Sequence, residues 1–439
     1  MDTDMIYQIQ LVIVISMFSF SFYGCNPKVK VNLIELRNEH SVKSIIELDN
    51  NDILISGSFY SKNKGIELFL MKLNKEGELL WERTYGGSLN DYGSLLIRID
   101  NNNTLLLGET TSKDEEFTSN NGGRDLYLIS IDSVGHIKSS MCLGGSNYES
   151  LESVCESSEN DIIVMGWTFS SDKYFSDTLN LQYRSFIRKI KLSGDIVWNK
   201  YYVEDSIPNN RPYIPNSIKK TPKGGFVYSM LNKYGPPIYT DSHIIEIDKD
   251  GNINWENEFE SYTIQKIDNT KDSGYVLVGN KGISNSLDSR IVLSKLNNKG
   301  ELEWEHTIGK YEYLSSYGNE LLQKVKDVIV TMEGEIVVVG ETYSNIEGSN
   351  ELDFRGGTDL FIFKYNSKGN IRWKKTFGGS GSDKYLQFVN SSNGGYKLIG
   401  TTNSHDGLFS SLKDLFSSQY NNQKNIFIMN LDKNGNHIN

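Results

Sequence analysis

Three acids recur at one place in a repeated stretch of this 439-residue chain. Each closes a Gly-Gly-Ser run: Gly86-Gly87-Ser88-Leu89-Asn90-Asp91, Gly144-Gly145-Ser146-Asn147-Tyr148-Glu149 and Gly378-Gly379-Ser380-Gly381-Ser382-Asp383. Recurring carboxylates can converge to bind a cation or polarise a sugar. They can also accept N–H groups from their own glycine-rich turns, and the constant Gly-Gly-Ser partner favours that use of Asp91, Glu149 and Asp383. His40, His136, His243, His306, His405 and His437 form no HxH or HExxH pattern, so zinc is not expected. No G-x-S-x-G elbow or phosphate-binding loop occurs. Asp248-Lys249-Asp250-Gly251-Asn252 has the acids of a calcium loop, but its glycine comes one position early and no Glu completes it. It reads as a tight turn. No catalytic residue, metal or cofactor is expected.

A second set of candidates is aromatic. Long polar stretches, roughly 109–124, 168–184, 341–358 and 401–425, carry Phe117, Tyr174, Phe175, Tyr343, Phe354 and Phe409. Long loops on a rigid scaffold often carry function. Tyr174, Phe175, Tyr343 and Phe354 are candidates for stacking on sugars or anchoring a partner; packing over their own scaffold is the alternative.

The elements that would position these residues are repeats of about sixty residues. Gly77, Gly135, Gly194, Gly251, Gly300, Gly369 and Gly435 each follow an apolar strand and a turn, giving seven copies. Trp81, Trp198, Trp255, Trp304 and Trp373 fall four residues after such a glycine; Ser139 takes that place in the second copy, and only Trp167 lies elsewhere. An earlier apolar strand ends in glycine, as in Ile53-Leu54-Ile55-Ser56-Gly57. Each copy thus holds four short strands, A to D. The chain contains no alanine, the best helix former, but 39 Gly and 25 Tyr. Seven four-stranded units predict an all-β, seven-bladed β-propeller, since one such sheet cannot bury both faces alone. On this reading Trp covers the gap between blades, and the acids share a face with the B-to-C loops.

The GGSxxD runs, with Gly122-Gly123-Arg124-Asp125, Gly356-Gly357-Thr358-Asp359 and the glycine-to-Trp spacing, resemble the repeat of bacterial secreted seven-bladed propeller proteins. The resemblance covers residue 41 onward. It implies the fold, not an activity. The Gly-to-Trp spacing is also similar to the docking motif of quinoprotein propellers, but Asn or Asp precedes Gly by three rather than four and no adjacent cysteine pair exists, so no quinone is expected. Sialidase Asp-boxes differ in both spacings.

The N-terminus carries an address. Leu11 to Phe22 is an apolar run of signal-peptide length, ending in Phe22-Tyr23-Gly24-Cys25. This resembles a bacterial lipobox, which implies cleavage before Cys25 and acyl chains on that residue. A plain secretory leader or an uncleaved anchor are the alternatives. The division expected is 1–24 signal peptide, 25–40 anchor cysteine, tether and closing strand, and 41–439 propeller. The last copy stops before its strand D, so Val29 to Leu36 is expected to supply it and close the ring. Cys142 and Cys155 fall on an outer and an inner strand, too far apart to bridge, and read as buried free thiols. A net charge of −11 argues against nucleic-acid binding. The function expected is a monomeric, membrane-anchored, non-enzymatic binding or scaffolding propeller of the bacterial envelope, at the outer membrane or cell surface, with an envelope glycan or protein as partner. The alternative is a carbohydrate-active enzyme with an axial pocket.

Overall fold

The computed structural model describes residues 32–35, 40–75, 77–100, 103–158, 160–176, 183–202, 213–234, 239–282, 289–312, 323–343, 355–391, 394–412 and 425–438. These residues form seven four-stranded antiparallel sheets in a ring, a seven-bladed β-propeller. Blade one consists of strand A (Ser41–Glu47), strand B (Ile53–Ser61), strand C (Gly65–Leu73) and strand D (Leu79–Tyr85), from the axis outward. The inner strands of blades two to seven are Asp91–Asp100, Glu149–Ser158, Ile214–Lys220, Tyr262–Asn269, Gln323–Val330 and Asp383–Asn390.

The seventh blade takes three strands from the C-terminal end and its fourth, Asn32–Glu35, from the N-terminal end. Asn32 lies opposite Ile428 and Glu35 opposite Asn425 in an antiparallel pair. The strand expected within 29–36 therefore closes the ring.

Period-two side-chain alternation explains why the B strands are apolar throughout. In Ile53-Leu54-Ile55, the two isoleucines pack with Ile399, Ile426 and Ile428 of blade seven, while Leu54 packs with Leu96, Leu106 and Ile129 of blade two. The described residues form seven apolar clusters, each shared by two adjacent blades. Each blade is thus buried only by its neighbours.

Both sequence landmarks have physical causes. The turn between strands C and D places Gly135 at φ +83°, and the Asp132 carboxylate accepts the N–H groups of Val134 and His136. The Trp of each blade then lies on the turn glycine of the next: Trp81 on Gly135, Trp198 on Gly251, Trp255 on Gly300, Trp304 on Gly369 and Trp373 on Gly435. Where Ser139 replaces Trp, Met141 covers Gly194 instead.

The second landmark reflects a bulge. Every inner strand carries a register shift near its start, as between Val42 and Ser44, Leu151 and Ser153, or Val325 and Asp327. The bulge tilts a strand A carbonyl onto strand B, and a Cβ on Gly166 would lie 1.9 Å from the Ser150 oxygen. Glycine is required there. Bulges also re-aim side chains, and these put Lys43, Glu152 and Lys326 at the unpaired positions.

Candidate functional site

Asp91, Glu149 and Asp383 begin strand A of blades two, three and seven, each opposite a threonine at the end of strand B: Thr110, Thr168 and Thr402. All three acids are fully buried. Asp91 accepts the Gly87 N–H at 2.7 Å, the Thr110 hydroxyl at 2.5 Å and the Ser112 hydroxyl at 3.1 Å. Glu149 accepts from Gly145 N–H and Thr168, and Asp383 from Gly379 N–H and Ser404. The chain therefore clasps each acid inside its own loop pair and does not bring the three together.

The other half of the clasp is a second repeat that the sequence reading missed. Thr110-x-Ser112-x-Asp114-x-x-Phe117 recurs as Thr168, Ser170, Asp172 and Phe175, and as Thr402, Ser404, Asp406 and Phe409. Ser88, Ser146 and Ser380 donate their N–H groups to Asp114, Asp172 and Asp406 at 2.8, 2.8 and 2.6 Å. Leu89, Asn147 and Gly381 N–H bond the three serine hydroxyls, each at 2.9 Å. This repeat was legible as a fixed offset from GGSxxD.

The residues just before the GGxD acids latch blades together through their backbone, while Asp125 and Asp359 accept N–H groups of Asn121 and Arg355 in their own loops. Arg124 and Thr358 bridge in parallel to Tyr148 and Ser382 of the next blade's entry loop. Asp125 and Asp359 are buried there, and burial lifts both carboxyls to about 6, with Glu149 and Asp383 adding repulsion. Asp91 is likewise pushed up to about 6 by burial, and Glu149 and Asp383 are raised for the same reason.

The predicted aromatics divide. Phe175 is fully buried and plugs its own loop, as do Phe117 and Phe409. Tyr174 is half-buried, donating its hydroxyl to Gly194 O at 3.1 Å, with the Arg188 guanidinium over its ring. Tyr343 is half-buried with the Lys324 amine 5.3 Å from its ring centre. Phe354 and Cys25 lie outside the described residues. Cys142 and Cys155 are free thiols on strand D of blade two and strand A of blade three. Cys142 is buried, but Cys155 is only half-buried, packed against the cluster between blades three and four; desolvation pushes both thiols up to about 11.

Sequence spacing did not mark the axial channel. Its walls carry charges from several blades. Tyr385 donates its hydroxyl to Asp327 at 2.5 Å, and Lys219 pairs with Asp268 at 3.0 Å. The ring encloses these groups; Lys219, Asp327 and Tyr385 keep partial solvent contact, while Asp268 is buried. Enclosure raises the Asp327 carboxyl despite Lys266 nearby, and Asp268 holds the Lys219 ammonium up against its own desolvation. At the loop-bearing rim, blades one to three form a cleft of about 220 Å³ lined by residues including Lys43, Tyr92 and Glu109. Glu109 is engaged at both oxygens, by Arg124 and by the Ser150 hydroxyl and Leu151 N–H of the next blade. Glu152, on the neighbouring bulge, has its carboxyl raised by desolvation, with Lys43 opposing. Among the described residues, no three His, Cys, Asp or Glu side chains are grouped to hold a metal ion.

No family model matches this chain, and no curated protein matches it in sequence. Solved structures similar to it include the Dos1 propeller, with 10% identity over 88% of this chain and 78% of that one at a TM-score of 0.46. YCF48 bound to D1 peptide shares 9% identity over 92% and 95% of the two chains, with a TM-score of 0.48. A protein of unknown function from Dyadobacter fermentans shares 10% over 92% and 99%, with a TM-score of 0.43. None of these likenesses bears on activity.

Proposed function

We propose that the protein is a lipid-anchored, non-enzymatic binding propeller of the bacterial envelope, which receives its ligand on the loop-bearing rim around the axial mouth. The observation that carries this reading is how the carboxylates are used. Asp91, Glu149, Asp383 and Glu109 each accept two or more hydrogen bonds from the fold. Glycoside hydrolysis by the usual route needs two carboxyl groups across the scissile bond. The rim instead offers exposed Lys43 and half-buried Tyr92 around a concave cleft, with exposed Glu152 on the neighbouring bulge, a mix suited to recognition.

The closing strand supports the anchor's geometry. It enters opposite Ile428, midway along Asn425–Leu431, and runs to the loop-bearing rim at Asn425, so the chain before it points toward the tight-turn rim. Residues 26–31, which separate Cys25 from it, reach about 20 Å when extended. An acylated Cys25 would hold the tight-turn rim toward the bilayer and leave the opposite rim free for a ligand.

The test screens lipid-free protein against envelope glycans and proteins. Lys43→Glu with Tyr92→Ala should abolish any hit, while changes at Lys75, Lys249 and Lys299 on the opposite turns should not. Loss through the turn lysines alone would overturn the assignment, and turnover of a glycan would favour the carbohydrate-active alternative.

A further inference from the structure

Trp167, the one tryptophan off the repeat register, sits on strand B of blade three where blades two and six carry Glu109 and Glu341. Its indole stacks on Tyr183 at 5.5 Å and 25° between planes, and meets Phe169 edge-on at 5.6 Å. Phe169 and Tyr183 are themselves 4.9 Å apart. Phe169 is 39% exposed, on the loop-bearing rim. Trp167 Nε1 donates to Glu152 Oε1 at 3.0 Å, and no described protein group donates to Glu152 Oε2. The loop is fixed from below: fully buried Arg184 donates to the carbonyls of Ser170 and Phe175.

We propose that Trp167, Phe169, Tyr183 and Glu152 form a platform for a β-linked oligosaccharide of equatorially substituted pyranoses. This inference rests on the binding reading above. The three rings touch one another, so no slot remains between them for a cation, as an aromatic cage would need. They form one apolar cluster with Phe169 exposed at the rim, Trp167 and Tyr183 half-buried, and the Glu152 carboxylate on the indole N–H. An equatorial pyranose is complementary to both: its axial C–H face covers rings, and its hydroxyl rim donates to Glu152 Oε2. A lipid chain or apolar peptide segment would cover the rings but leave that oxygen desolvated and unpaired. A nucleic acid would set phosphate against the same carboxylate. Because Arg184 already orders the loop, little conformational entropy is lost on binding.

The test titrates the lipid-free chain from residue 26 onward with cellohexaose and chitohexaose, following tryptophan fluorescence and calorimetry. At least one should bind. Phe169→Ala and Trp167→Ala should each weaken it about tenfold, and Trp167→Phe should restore part of the loss. Glu152→Gln should weaken it less than either. Phe169 is the exposed ring, so its variant keeps the test sound if Trp167→Ala fails to fold. Binding of neither sugar, or equal binding by Phe169→Ala and Trp167→Phe, overturns the platform. If an envelope protein then binds through Lys43 and Tyr92, the binding reading survives without it; if nothing binds the rim, both fall.

Discussion

Trp373 of blade six lies against Gly435 of blade seven, where a Cβ would come within 2.7 Å of the indole. Gly435 also sits at φ +72°, a conformation that disfavours any side chain. One contact therefore fixes both residues. Trp373→Ala should lower stability by about 3 kcal/mol. Gly435→Ala should lower it by about 1–2 kcal/mol from backbone strain, more if the ring is displaced. The double variant should lose less than the two losses added, because the ring that Gly435 accommodates is already gone. Urea denaturation of the four proteins checks this; strict additivity would mean that the contact carries no coupling.

The buried clasp and GGxD acids make stability depend on pH in an uncommon direction. Burial lifts Asp91, Asp125 and Asp359 from 3.8 to about 6 in the folded protein. Between those values the folded state keeps a proton that the unfolded chain has released. The stabilisation is therefore complete below about pH 4 and lost as pH rises through about 6. The melting temperature should rise as pH falls from about 7 to 5. Asp125→Asn and Asp359→Asn should flatten that slope, and an unchanged slope in both would contradict the assignment.

Deleting residues 32–35 should open the ring. The deletion leaves Asn425–Leu431 as an unpaired strand edge. The melting temperature should drop by at least about 5 °C, and the protein should self-associate. An unchanged melting curve would mean that the ring closes otherwise.

The anchor is tested in cells of the native kind. Cys25→Ser should move the protein from the membrane to a soluble fraction and abolish incorporation of labelled palmitate. Equal labelling of the variant would sink the lipidation proposal.

Most of the fold was legible because single residues carry it repeatedly. A glycine at positive φ and a Trp four residues later recur at a fixed spacing, so Gly77 and Trp81 announce the same hairpin as Gly369 and Trp373. The closing strand was legible by subtraction, from a blade that lacked its fourth strand. The rim was not. Trp167 and Glu152 meet only because a bulge turns residue 152 out of the ladder, and a bulge leaves no composition signal. Asp327 and Tyr385 come from different blades, with no shared motif to flag them. The same holds for Phe175, whose type suggested a binding surface while its spacing from Asp172 made it a core plug.

The pairing of Asn32–Glu35 with Asn425–Leu431 also orders events in time. On a ribosome the closing strand emerges first and must wait for a partner made near the end. Blades one to six can assemble from neighbouring segments, but the last interface cannot. Closure is thus a late, long-range step, slow by nature because it joins distant parts of the chain. Any product cut short upstream of Asn425 keeps an open seam, with the Ile45 and Ile55 side of blade one missing the cover of Ile426 and Ile428. Such a seam is the kind of surface that chaperones and proteases engage, so the ring's own closure separates finished chains from unfinished ones.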